Sequence, residues 1–250
     1  MFDWSKVKDP VIAKRLQDEG RAFVARCHFG TQGVAKTKQD VLDTLQRLLD
    51  SGFMTLAFDI EANYARMVQE VTGGKVPLHA AVSYPMGRMT LKQKLYGLQS
   101  MLDLGIGDTC VCIDWQAIFS GRYRDVEKEA AAINKEFDGK FLKNAFVIPA
   151  TLMSDLEIVE VCKALDNAGV YSIKVNPGTK LGVSYEEVEL INRNFPHRFD
   201  IHPSGNIRTL EAVEKYLELG CKIIHTASSL EIVEAYLNRQ FALYTGGVQS

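Results

Sequence analysis

The sequence predicts a (β/α)8 TIM barrel, a single domain over residues 1–250 that opens with a short N-terminal helix. Three observations carry that expectation. Short apolar runs of strand length alternate eight times with segments of helical length and period. Strands that alternate with helices build a parallel sheet with right-handed crossovers. A chain of 250 residues has the length at which eight such units close into one barrel.

Residues 10–20 have helical spacing and end in a glycine, which predicts a lead-in helix capping the bottom of the barrel. Strands are expected at 22–28, 54–59, 77–83, 109–115, 145–150, 170–175, 199–202 and 222–226. The matching helices are expected at 38–50, 62–72, 91–104, 124–137, 155–167, 184–194, 210–219 and 230–239. Gly52, Gly73, Gly105, Gly169 and Gly220 stand where a left-handed residue ends a helix just before the next strand. An open, doubly wound sheet is the rival architecture. It would carry a Gly-rich phosphate loop after its first strand, whereas this turn reads Phe29-Gly30-Thr31-Gln32-Gly33 without a dinucleotide fingerprint.

Acidic and basic residues nearly cancel, leaving a formal charge of −2, and no block of like charge stands out. Nucleic acid and membrane are therefore not expected as partners, and a small molecule is. No apolar run approaches bilayer length, and the charged start Met1-Phe2-Asp3-Trp4-Ser5-Lys6 is unlike a signal peptide, so a cytoplasmic protein is expected. The five cysteines are odd in number and form no C-x-x-C pair, which argues against a disulfide framework.

The working face of such a barrel is the C-terminal end of its strands. The stretch Tyr171-Ser172-Ile173-Lys174-Val175-Asn176-Pro177-Gly178-Thr179-Lys180 places one lysine in an apolar strand and follows it with a Pro-Gly turn. Such a lysine either snorkels to the strand end, pairs with a carboxylate, or is desolvated into a nucleophilic amine suited to a Schiff base. Polar residues recur at the same end of other strands: His28, Asp59 with Glu61, Ser83, Asp114, Asn176, His202 with Ser204, and Thr226 with Ser228 and Ser229. Each has an ordinary explanation as a helix cap, and their recurrence is the signal. Asp59 with Glu61 reads as an acid/base pair, as helix N-terminal charge, or as solvent face. Ser204-Gly205-Asn206 and Thr226-Ala227-Ser228-Ser229 are expected to open the last two helices, where backbone N–H groups suit a phosphate.

On these residues the chain resembles the deoxyribose-phosphate aldolase family of class I aldolases, from about Cys27 to Leu237 and most densely at 169–178, 202–208 and 226–234. Ile173-Lys174 followed by Gly178 is similar to the family's Schiff-base strand and turn. Pro203-Ser204-Gly205-Asn206-Ile207-Arg208-Thr209 and Ala227-Ser228-Ser229 resemble its two phosphate turns, and Tyr84-Pro85-Met86-Gly87 and Ser120-Gly121 match in kind. The resemblance implies that Lys174 forms the covalent imine, and that Gly178, Gly205, Asn206, Ser228 and Ser229 hold a substrate phosphate. The chain departs from the family in its acid/base set. Cys110 stands in place of the aspartate on the fourth strand, His202 in place of a second lysine on the seventh, Cys27 in place of the first-strand aspartate beside a retained His28, and Asn144 in place of a lysine on the fifth.

Strand alternation puts Asp114 on the same side as Cys110 and Cys112 but nearer the mouth, as a displaced acid/base. His202 titrates near neutrality and is suited to shuttle a proton or to bind phosphate or water. The expected catalytic set is Lys174, Asp114, His202 and His28. Cys110-Val111-Cys112 with Cys27, His28 and His202 are zinc-ligating types, yet two inward cysteines on a strand are ordinarily small buried apolar residues. No metal and no cofactor are expected. The expected activity is that of a class I lyase making or breaking a carbon–carbon bond in a small phosphorylated carbonyl compound. An imine-dependent dehydratase, isomerase or decarboxylase and a non-catalytic phosphometabolite-binding protein are the alternatives. The oligomeric state stays open, a homo-oligomer included.

Overall fold

The computed structural model describes residues 1–30, 36–178 and 180–246. Thr31–Gly33 of the first turn and Thr179 of the Lys174 stretch lie outside the described residues. Eight parallel strands form one sheet in the order β7-β6-β5-β4-β3-β2-β1-β8, and a bridge from Ser204 to His225 closes β7 onto β8. The strands are β1 (Cys27–Gly30), β2 (Ala57–Asp59), β3 (Leu78–Val82), β4 (Asp108–Cys112), β5 (Lys143–Ile148), β6 (Ser172–Val175), β7 (Asp200–Pro203) and β8 (Ile224–His225). This is the expected (β/α)8 barrel. Among the described residues no helix is long and apolar enough to cross a membrane.

The helices around it are α1 (Pro10–Val24), α2 (Lys38–Ser51), α3 (Ala65–Thr72), α4 (Leu91–Asp103), α5 (Trp115–Phe119), α6 (Tyr123–Phe137), α7 (Asp155–Asn167), α8 (Tyr185–Asn194), α9 (Leu210–Glu218) and α10 (Ser229–Tyr244). Their starts are written in the sequence. Thr37 with Asp40, Thr90 with Gln93, Ser154 with Glu157 and Ser184 with Glu187 each form a capping box that satisfies otherwise orphaned N–H groups. Their stops are too: Gly52, Gly73, Gly105, Gly169 and Gly220 all have positive φ.

Three expectations need correction. The first strand starts at Cys27 rather than 22, because Leu16, Gly20, Phe23 and Val24 continue one buried helical stripe. Gly20 is therefore a packing residue and not a stop: a Cβ there would lie 2.8 Å from the Phe53 ring. The lead-in helix packs along α10, where Phe23 stacks on Tyr236 with ring centroids 4.6 Å apart. The fourth strand ends at Cys112, and Trp115 opens the short α5, which the sequence did not announce.

Side chains alternate between two environments. Phe29, Phe58, Val111, Phe146 and Ile173 face the helices and belong to the main apolar core. Cys110, Cys112, Ala145 and Val147 form a small separate apolar cluster inside the barrel. One buried lysine ties the outer layer to the barrel. Lys94 on α4 donates to Cys112 O at 2.8 Å and pairs with Glu129 on α6. Burial raises the Glu129 carboxyl, with Lys94 opposing. Lys94→Ala leaves Glu129 unpaired and is expected to cost about 3–5 kcal/mol in urea unfolding, whereas joint replacement by Met and Leu costs clearly less.

Candidate active site

Lys174 is 2% exposed and stands in register between Val147 on β5 and His202 on β7. Its side chain opens into a cavity of about 410 Å³ at the C-terminal ends of the strands. Among the described residues it makes no hydrogen bond or ion pair, so it neither snorkels to a partner nor is held by a carboxylate.

The turn that follows is fixed from outside the cavity. Asn176 is fully buried with φ 68°; it accepts from Thr151 N at 3.0 Å and donates to Thr151 Oγ1 at 2.9 Å and Glu187 Oε2 at 3.0 Å. The loop beyond it rests on the turn after β7. Gly205 has φ 90°, and a Cβ there would fall 2.2 Å from Leu181 O, so only glycine lets these two turns touch.

The expected anion residues divide. Gly178, Gly205, Asn206 and Ser228 line the cavity. Ser229 is buried as the first residue of α10 and is not on the wall. Gly205-Asn206 does not open a helix, because Thr209 caps α9 three residues later. The Ser228 amide is engaged by Thr226 Oγ1 at 2.9 Å. Cationic side chains replace the missing helix start: exposed Lys180 and Arg208 stand on the same wall.

Asp114 does not face Lys174. The strand has already ended, and its carboxylate accepts from Gln116 N at 2.9 Å as the N-cap of α5, with Arg122 at 3.8 Å. Alternation fails as a guide once the strand stops. Cys27 likewise packs in the outer core, beside a His28 that turns inward. Asn144 is followed by Ala145 and Val147 inside the barrel, so the inward residue at its end of β5 is Lys143, 4.0 Å from Asp200.

His28 and His202 lie beneath the cavity rather than on its wall. His202 Nε2 is held by Ser172 Oγ at 3.2 Å and Asp200 Oδ2 at 3.4 Å, and burial lowers its pKa against the pull of Asp200. His28 stands between two carboxylates, with Nδ1 at 3.1 Å from Asp59 and Nε2 at 3.3 Å from Asp108.

The strand-end survey missed His79, Asp108, Asp200 and His225, which complete this interior. His79 Nδ1 is 2.9 Å and His225 Nδ1 3.5 Å from Asp59. Four of the five histidines in the chain thus line the barrel interior. Burial alone would raise Asp59, but His79 and His28 hold it well below the usual carboxylate range. Burial opposes charge on His79 too, yet Asp59 and Cys110 raise it to about 10. Burial, Lys174 and His28 hold His225 well below its ordinary value. Asp59 and His225 are the members of this group that reach the cavity wall, where Tyr84 also stands with its hydroxyl on Pro177 O at 3.1 Å. Strand parity was the available signal, since His79 and Asp108 are in register with Asp59 across β2, β3 and β4.

Because Asp114 caps a helix, Asp114→Ala is expected to lower stability by about 1 kcal/mol in chemical unfolding. Covalent trapping of carbonyl compounds at Lys174 is expected to be unchanged in that variant.

No family profile matches the chain. It is 26% identical over 198 residues to a deoxyribose-phosphate aldolase of Alkaliphilus oremlandii, covering 79% of this chain and 88% of that one. A deoxyribose-phosphate aldolase of Streptococcus agalactiae is 24% identical over 193 residues, 76% of this chain and 86% of its own. In structure the chain is similar to the aldolase QR15, with a TM-score of 0.78 at 20% identity over 88% of this chain and 98% of that one. It is also similar to the tetrameric deoxyribose phosphate aldolase of Aeropyrum pernix, with a TM-score of 0.74 at 20% identity over 90% and 96% of the two chains. Lys174 on the sixth strand, the turns at 203–209 and 226–229, and these likenesses together make the chain a divergent relative of the deoxyribose-phosphate aldolases, built on an aldolase-type lyase scaffold.

Proposed function

We propose that the protein is a class I aldolase in which Lys174 forms an imine with a small, anionic carbonyl substrate. The observation that carries this reading is the position of Lys174: a buried lysine without a partner among the described residues, opening into a cavity at the catalytic end of the barrel. Lys174 Nζ adds to the carbonyl carbon, water leaves, and the resulting iminium accepts the electron pair of the adjacent carbon–carbon bond as it breaks. The hydroxyl proton on the departing fragment is lost, an aldehyde is released, and the enamine is protonated before water returns the lysine. Read in reverse, the same steps join two carbonyl compounds.

The cavity volume of about 410 Å³ suits a small metabolite. Lys180 and Arg208, at its mouth with Gly178, Gly205, Asn206 and Ser228, favour a phosphorylated one. The relatives are named for deoxyribose phosphate, and the altered acid/base set separates this chain from that substrate. The proton transfers fall to the polar floor of the cavity, whose wall Asp59 and His225 reach and behind which His202 stands, and not to Asp114; where an ion occupies that floor, His202 and water are left to carry them.

Borohydride reduction of the protein with a panel of phosphorylated aldehydes and ketones is expected to add one substrate mass, located on Lys174 by peptide mass spectrometry. Lys174→Met and Lys174→Arg are expected to lose both the adduct and turnover while keeping the fold. An adduct on another lysine, or full activity in Lys174→Met, overturns the reading. Lys180→Ala and Arg208→Ala are each expected to raise KM for a phosphorylated substrate about 10-fold or more, with little change for its unphosphorylated counterpart.

A further inference from the structure

Beneath the cavity three imidazoles converge on one carboxylate. One donor atom from each of His28, Asp59, His79 and His225 lies within 4.8 Å of the other three, and all four side chains are buried. The Nδ1 atoms of His28 and His79 are 3.1 and 2.9 Å from Asp59 Oδ1, and that of His225 is 3.5 Å from Oδ2. Ligands at 2.0–2.1 Å from a shared tetrahedral ion stand about 3.3 Å apart, within this range.

Hydrogen bonding does not account for the arrangement. His28 Nδ1 bonds Asp59, whereas His79 Nδ1 at 2.9 Å and His225 Nδ1 at 3.5 Å approach the carboxylate without good hydrogen-bond geometry, and His225 Nε2 makes no hydrogen bond among the described residues. A buried imidazole nitrogen without a partner is costly.

Charge leads to the same place. Asp59 and Asp108 are both buried, and among the described residues their ion-pair partners are imidazoles, while the inward Lys143 lies 4.0 Å from Asp200. A divalent cation compensates two such carboxylates as imidazolium does, and leaves the histidines free to ligate as neutral rings. Asp108 Oδ2 lies 3.3 Å from His28 Nε2, within reach of the other nitrogen of a metal-bound histidine, where a carboxylate commonly orients such a ring.

We propose that His28, Asp59, His79 and His225 bind a divalent transition-metal ion of the zinc class at the floor of the Lys174 cavity. Three imidazoles and one carboxylate suit such an ion better than magnesium or calcium, which take oxygen ligands. The ligands come from β1, β2, β3 and β8, four rigid strands rather than loops. Asp59 and His225 are on the cavity wall, so the ion borders the space into which Lys174 opens and is placed to polarise an oxygen of the bound substrate. The four-residue cluster contains no cysteine: Cys27 faces outward, Cys112 packs with Ala145 and Val147, and Cys110 of the same apolar group lies beside His79 without joining it.

The proposal does not rest on imine formation, and its test needs no turnover. The full chain, stripped with chelator, is titrated with Co²⁺ alone and then with Zn²⁺ as competitor. One Co²⁺ per chain is expected, with the strong visible absorption of a four-coordinate nitrogen and oxygen site, displaced by Zn²⁺ and retained in Lys174→Met. His79→Ala and His225→Gln are each expected to weaken binding by about 100-fold or more, and Asp108→Asn by about 10- to 100-fold. The absence of a stoichiometric four-coordinate spectrum in the unmutated protein overturns the proposal whatever the variants do. So does a thiolate charge-transfer band, or undiminished affinity in folded His79→Ala and His225→Gln.

Discussion

Two carboxylates buried inside a closed barrel are the constraint around which the interior is arranged. Asp59 and Asp108 have inward positions that solvent barely reaches, and an uncompensated charge there would cost several kcal/mol. His28 bridges them, His79 and His225 close on Asp59, and His202 adds to the positive surroundings of Asp108. The polar half of the barrel is therefore one connected network. Its members stand on β1 to β4 and on β7 and β8, two runs of strands that join because β8 returns beside β1.

That network explains which parts of the molecule were legible in the sequence. The barrel was, because eight apolar runs, the helical segments between them and five helix-ending glycines all point to the same alternation. Lys174 was, because a lone lysine followed by Pro-Gly is a local feature. His79 and Asp108 were not, because nothing beside them in the chain marks them; they matter through register with Asp59 across β2, β3 and β4. His225 escaped notice for a related reason. Its strand is two residues long, and its partners, His28 and Ser204, lie on β1 and just past β7.

Asp114 shows the opposite failure, a local pattern extended too far. Alternation from Cys110 and Cys112 would bring it inward if β4 continued for two more residues. The chain instead uses its carboxylate to cap α5, which a two-residue step in sequence cannot reveal. The same local logic misjudged Gly20: a glycine in helical spacing is a stop if the next turn is exposed and a contact point if a ring such as Phe53 lies against it.

The interior is also lopsided, and this bears on how an imine at Lys174 would be used. One neighbour in register, Val147, belongs to an apolar wall with Cys110, Cys112 and Ala145; the other, His202, begins the polar wall. The resemblance to deoxyribose-phosphate aldolases implies an aspartate on β4, the wall that is apolar here. At the level of Cys110 that strand is apolar here; its carboxylate is Asp108, two residues earlier, and a second, Asp59, stands two strands away on β2 with histidines from β1, β3 and β8 around it. A substrate bound at Lys174 as proposed would meet the polar side of the cavity at Asp59 on β2 and His225 on β8. With Lys174 as the proposed nucleophile, shifting the carboxylate from the level of Cys110 would change which carbon and which oxygen of a substrate can be served. This is a structural route by which a barrel keeps imine chemistry and alters what it acts on.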